Sequence, residues 1–167
     1  IKSKRFLPYG RQTIDQADID AVIKVFDGDF ITQGPRISEF EKAFAQYVDA
    51  KYAVACSNGT AALHLACQAL ELYEGGKLVT APVTFLASAN CARYCGASVD
   101  FVDIDPATYN LCPIELEKKL IEAKRNNKLP KIVVPVHLAG QSCEMEQIHK
   151  LSQEYSFRII EDASHAI

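Results

Sequence analysis

Apolar and β-branched residues gather in five short runs along the chain, at 52–56, 78–81, 99–103, 132–136 and 158–161. Val- and Ile-rich runs of this length, separated by stretches of ten or more residues, read as strands joined by helical crossovers. The pattern therefore predicts an α/β fold with a mainly parallel sheet. The segments between the runs switch to helical spacing. Residues 16–26 predict one helix. Ser38 with Glu41 three residues later is a capping-box pattern that predicts the start of a second, with Phe40, Phe44, Tyr47 and Val48 on its apolar face. Pro113 suits the first turn of a helix reaching about Arg125; Asn126-Asn127 then breaks it and Pro130 leads into the next strand. A last helix, residues 144–155, carries Met145, Ile148 and Leu151 as its stripe.

No repeat, low-complexity tract or linker interrupts this alternation. Residues 1–37 stand apart as an N-terminal helix followed by a Gly- and Pro-containing loop, and residues 38–167 read as the strand-bearing domain. The loop at 27–35 is either ordinary turn chemistry or a binding segment.

At 167 residues, 49% of them apolar, the chain is long enough to bury a substantial core. A net charge of −3 with scattered Lys and Arg offers no basic stripe, which argues against a nucleic-acid partner. No apolar run approaches the ~20 residues of a membrane span, and the first six residues lack a signal-peptide core, so no membrane partner and a cytoplasmic location are expected. The six cysteines include no C-x-x-C pair and lie mostly in apolar stretches, as reduced, buried thiols do. Cys91 and Cys95 share a helical face, yet no His or third Cys clusters with them, so packing is expected rather than a metal site.

Three strand ends carry polar residues suited to chemistry. Ser57-Asn58-Gly59-Thr60 follows the first predicted strand and opens an Ala- and Leu-rich helix. Its first-turn N–H groups, the Thr60 hydroxyl and the close approach permitted by Gly59 suit a phosphate; the alternative is a plain N-cap. Phe85, beyond the second run, would enter the same crevice and stack on a planar ligand, or else belong to the core. Asp162, just past Ile159-Ile160, could hold a protonated ring nitrogen or cap a turn. His165 could bond a second polar group, and His137, at another strand end, suggests structural hydrogen bonding.

In these residues the chain resembles the fold-type-I pyridoxal-phosphate enzymes, specifically the DegT/StrS family of nucleotide-sugar aminotransferases. The matching segments are "FITQGPRISEFEKAFAQYVDAKYAVACSNGTAALHLA", "TAPVTFLASANCARYCGASVDFVDID", "VVPVHLAGQSCEM" and "IIEDASHAI". Within the family, "DFITQGP", "PVHLAGQ" and "EDASHAI" are most similar to the branch of pseudaminic acid biosynthesis. That branch moves an amino group from glutamate to C4 of a UDP-4-keto-6-deoxy-N-acetylhexosamine.

The resemblance implies a partial large domain of that fold, with helices on both sheet faces, binding pyridoxal 5′-phosphate. It implies that Asn58, Gly59 and Thr60 bind the cofactor phosphate, that Phe85 stacks on the pyridine ring, that Asp162 holds the ring nitrogen and that His165 contacts the phenolic oxygen. Tyr9, Asp29, Phe30, Ile31 and Thr32 would line the sugar-nucleotide site. The partners implied are a UDP-sugar, glutamate and a second copy of the chain in a homodimer. The family's Schiff-base lysine follows the "EDASHA" strand, which places it beyond Ile167, and neither Lys77 nor Lys131 matches it. The residues up to Ile167 are therefore expected to lack a catalytic residue and to be inactive alone. Two alternatives share the cofactor site: a pyridoxal-phosphate-dependent sugar dehydrase, and a non-catalytic binding module.

Overall fold

The computed structural model describes residues 11–166, which fall into two units dividing between Ala55 and Cys56. The second unit is built on four parallel strands, β1 (Lys77–Thr80), β2 (Ser98–Phe101), β3 (Ile132–Val134) and β4 (Arg158–Ile159), in the order β2-β1-β3-β4. Leu78 is in register with Val99 on one side and Ile132 on the other, and Val133 with Ile159. Leu78-Val79 in β1 and Ile132-Val133-Val134 in β3 are apolar on both sides of the sheet because both faces of these strands are covered.

Alternate side chains on a strand point to opposite faces, and the core divides accordingly. Leu78, Ile132 and Val134 pack with Leu63 and Cys67 of α3 (Gly59–Ala69) and with Ala87, Cys91 and Ala92 of α4 (Ala87–Tyr94). Val79 and Val133 pack with Leu116 and Leu120 of α5 (Pro113–Arg125) and with Ile148, Leu151 and Tyr155 of α6 (Met145–Tyr155). Helices on both faces of a parallel sheet are the doubly wound arrangement expected from the sequence. The chain leaves β1 through α4 for β2, then crosses back through α5 to β3 on the other side of β1. Strand order thus reverses between β1 and β3, and a ligand crevice is expected at their carboxyl ends.

The first unit holds α1 (Gln16–Phe26) and α2 (Pro35–Tyr47). Asp15 caps α1 by accepting from the Ala17 and Asp18 N–H groups, and the Asp18 carboxylate in turn accepts the Asp15 N–H at 2.9 Å. The Ser38–Glu41 capping box does not form. Pro35, its φ already helical, starts α2 one turn earlier after an extended Gly34, and Glu41 instead accepts the Ala55 N–H at 2.8 Å. Phe40 and Phe44 share a face as expected, their ring centroids 5.8 Å apart.

The run at 52–56 is a second correction. It joins no ladder among the described residues, and Tyr52 and Val54 are 75% and 81% exposed. Alternating β-formers mark a segment suited to pairing, but a strand also needs a neighbouring edge.

Candidate active site

The carboxyl ends of β1, β3 and β4 lead into three loops joined by side-chain hydrogen bonds. After β4 the ladder extends one step: Asp162 bridges Val136, its N–H reaching Pro135 O at 2.9 Å while its carbonyl accepts the His137 N–H. This fixes the Asp162 backbone, and the residue is 6% exposed. Ser88, entering α4 from the β1 loop, donates its hydroxyl to Asp162 Oδ2 at 2.7 Å, and Ser164 donates to Oδ1 at 2.7 Å. An ionised carboxylate accepts about four hydrogen bonds, so Asp162 keeps capacity for another donor. No Lys or Arg among the described residues forms an ion pair with it.

The N-terminus of α3 adjoins this carboxylate. A Cβ built on Gly59 would lie 3.6 Å from Ser164 Oγ. Asn58 is the N-cap, its side chain accepting the Ala61 N–H at 2.9 Å. The Gly59 and Thr60 N–H groups are then the first-turn donors with no acceptor among the described residues, at the positive end of the helix dipole. The N-cap and the anion cradle expected as alternatives are thus compatible, because they use different N–H groups.

The loop after β3 forms the remaining side. His137 Nδ1 accepts the Cys143 N–H at 3.1 Å, which places the ring proton of the neutral form on Nε2, 2.9 Å from Glu161 Oε2. The expected structural role of His137 is what this geometry provides. The Cys143 thiol, pushed up to about 11 chiefly by burial, donates to Val136 O. Beyond His137, Leu138–Gly140 makes a single 3-10 turn in which Ala139 has φ +54° and Gly140 φ +86°. The Ala139 N–H donates to His165 Nδ1 at 3.2 Å, so the neutral His165 ring carries its proton on Nε2. Gly140 is required here: φ is left-handed and a Cβ would come within 3.0 Å of His165 O.

Phe85 is 74% exposed in the loop that delivers Ser88, its carbonyl accepting the Ser88 N–H at 3.2 Å. It does not belong to the core. Gly59, Asp162 and His165 are thereby linked through Ser164, Ser88 and Ala139, and Phe85 stands three residues from Ser88. Asp29, Phe30, Ile31 and Thr32 lie in the first unit between α1 and α2, with Phe30 62% and Ile31 71% exposed. Gly34 is needed in that loop, since a Cβ would meet Phe30 Cβ at 2.9 Å.

Two positions named from the sequence, Tyr9 of the expected sugar-nucleotide site and Ile167, beyond which the Schiff-base lysine is expected, lie outside the described residues. The expectation that the amine follows Ile167 therefore has no counterpart in the described structure. Lys77 and Lys131 sit at the amino ends of β1 and β3, opposite the site, where Lys77 faces Asp100 at 3.6 Å and Lys131 donates to Glu71 O at 2.6 Å.

Sequence reasoning missed Thr84, Ser88, Ser164 and Asn110. The hydroxyls at 84 and 88 carry a readable signal, polar residues four apart on a helix start beside a strand end. Asn110 carries none, because its partners are remote in sequence.

Pyridoxal 5′-phosphate, the cofactor expected from the sequence, fits these donors. A helix N-terminus with two N–H groups suits a phosphate, and a buried carboxylate with unused acceptor capacity suits a ring N–H.

Comparison with known proteins identifies the family. Residues 12–167 match the DegT/DnrJ/EryC1/StrS aminotransferase family. The chain is 39% identical over 99% of its length to the spore coat polysaccharide biosynthesis protein SpsC of Bacillus subtilis, covering 41% of it. It is 40% identical over 96% of its length to the UDP-4-amino-4,6-dideoxy-N-acetyl-beta-L-altrosamine transaminase of Campylobacter jejuni, covering 42% of that protein. The chain thus spans about two fifths of the length of these relatives. Among solved structures it resembles the PLP form of the putative sugar aminotransferase Spr1654 from Streptococcus pneumoniae, with a TM-score of 0.85 and 26% identity over 96% of the chain and 43% of that structure. With its full strand-bearing unit matched and the strand-end loops assembled into one site, the chain belongs to the DegT/DnrJ/EryC1/StrS aminotransferase family.

Proposed function

We propose that this chain is the cofactor-binding part of a pyridoxal-phosphate-dependent aminotransferase that transfers an amino group from glutamate to C4 of a UDP-4-keto-6-deoxy-N-acetylhexosamine, as in pseudaminic acid biosynthesis. The observation that carries the reading is the buried Asp162 carboxylate, held by two hydroxyls beside the helix N-terminus at Gly59. The sugar specificity draws on the segments "DFITQGP", "PVHLAGQ" and "EDASHAI" and on the 40% identity to the Campylobacter transaminase.

Each residue has a role that its position allows. The N–H groups of Gly59 and Thr60, with the Thr60 hydroxyl, bind the phosphate, and Asn58 holds the helix end that presents them. Phe85 stacks on the ring. Asp162 accepts a hydrogen bond from the ring nitrogen and keeps it protonated by charge pairing. His165, with its proton on Nε2, offers a donor to the phenolic oxygen. When bound, the cofactor supplies an electron sink for negative charge developing next to the transferred nitrogen. Asp29 to Thr32, with Tyr9, contact the sugar nucleotide. The nucleophilic amine follows Ile167 in the whole protein, Lys77 and Lys131 lying at the opposite edge of the sheet, so the 167 residues by themselves carry out no transamination. The whole protein works in the cytoplasm as a homodimer.

The complete protein is the material for the test. It should bind pyridoxal 5′-phosphate with a shifted visible absorbance that borohydride fixes, and Asp162→Asn should lower kcat by roughly a hundredfold or more while phosphate-dependent binding persists. An unchanged kcat in Asp162→Asn sinks the role of the carboxylate. Failure to turn over a UDP-4-keto sugar with glutamate, in a protein that does bind the cofactor, sinks the substrate assignment.

A further inference from the structure

Ser88 is fully buried at the start of α4, where its hydroxyl stands between two other oxygens. It donates to Asp162 Oδ2 at 2.7 Å, and its oxygen lies 2.7 Å from Thr84 Oγ1. A hydroxyl has one proton. That of Ser88 is committed to a carboxylate that only accepts, so the Thr84–Ser88 bond must be donated by Thr84. The result is a one-way chain from Thr84 through Ser88 to Asp162, in which each bond polarises the next. Ser164 holds the other carboxylate oxygen, so the plane of the carboxylate is pinned from two sides. The backbone of Asp162 is pinned independently by its bridge to Val136. Hydroxyls, unlike a cation, orient the carboxylate without neutralising it, and its full charge remains for a positively charged partner.

We propose that Ser88, with Thr84 behind it, is a positioning residue that aims Asp162 at the protonated ring nitrogen of the cofactor; the proposal rests on the cofactor reading above. A serine that merely fills space under the loop would affect every ligand of the site alike. A positioning serine affects only ligands that have the ring nitrogen.

The two are separated by titrating the complete apo-protein with pyridoxal 5′-phosphate and with its 1-deaza analogue, in which carbon replaces the ring nitrogen. Ser88→Ala is expected to raise the Kd for pyridoxal 5′-phosphate roughly tenfold and to leave that for the analogue within about twofold, since only the former loses a hydrogen bond to a charged group. Thr84→Val should act in the same direction by about threefold, and it decides the matter if Ser88→Ala does not fold. Equal losses for both ligands, or no loss for either, overturn the proposal. If the unaltered protein binds neither ligand, the cofactor reading itself fails, an outcome distinct from any behaviour of the variants.

Discussion

Asn110 shows how much one side chain decides when both ends of its amide are used. It is 3% exposed; its Nδ2 donates to Gln141 O at 2.8 Å, and its Oδ1 accepts the Leu138 N–H at 3.1 Å. It therefore clamps both ends of the turn whose middle residue, Ala139, bonds His165. Asn110→Ala would remove both bonds, leaving the Leu138 N–H its contact with Val136 O at 3.0 Å and the carbonyl of exposed Gln141 to water, at a cost of about 1 kcal/mol. Urea denaturation of the variant should show a lower midpoint with an unchanged slope. Residues with intrinsic chemistry beside a strand end, such as Asp162 and Asn58, were legible because their type and local context coincide. Asn110 was not, because the turn it holds begins 28 residues later.

Elements followed hydrophobic period closely wherever the partner surface lies within the same unit. Strands β1 to β4 and helices α5 and α6 came out near their expected places because their apolar periods match a sheet with two covered faces. Edge chemistry was less visible. On edge strand β2, Asp100 lies between Lys119 at 2.8 Å and Lys77 at 3.6 Å. Burial alone would raise its pKa, but the hydrogen bonds from Lys119 and the Phe101 N–H, with both lysine charges, hold it below the ordinary 3.8. A carboxylate depressed on folding adds stability that is fully present above its unfolded value and is lost as the pH falls through the folded one. Asp100→Asn should therefore lower the urea midpoint near pH 7, and the difference from the unaltered protein should shrink as the pH falls below the ordinary 3.8. The side chain is more than a third exposed, so screening keeps the effect small.

On the scale of the whole molecule, burial is uneven. The second unit encloses two apolar layers, whereas α1 has no buried residue, with Val22 58%, Ile23 51% and Phe26 66% exposed. Exposed apolar side chains clustered on one helix favour association. The 167 residues expressed by themselves should elute from size exclusion larger than a monomer, with the elution shifting as concentration changes. Phe26→Lys should reduce that shift, and a concentration-independent monomer would refute the expectation.

What the sequence determined by itself was local in origin: the period of each helix and strand, the proline start of α5, the polar residues at strand ends, and the family those motifs mark. Tertiary structure alone decided the reversal of strand order between β1 and β3, which brings the loops carrying Ser88, His137 and Asp162 to one edge. It also decided which expected elements found partners, as with the unpaired run at 52–56 and the earlier start of α2. The reason is physical: propensity and periodicity act over a few residues, whereas a ladder, a buried clamp such as Asn110 or the Thr84–Ser88–Asp162 chain exists only when distant segments meet.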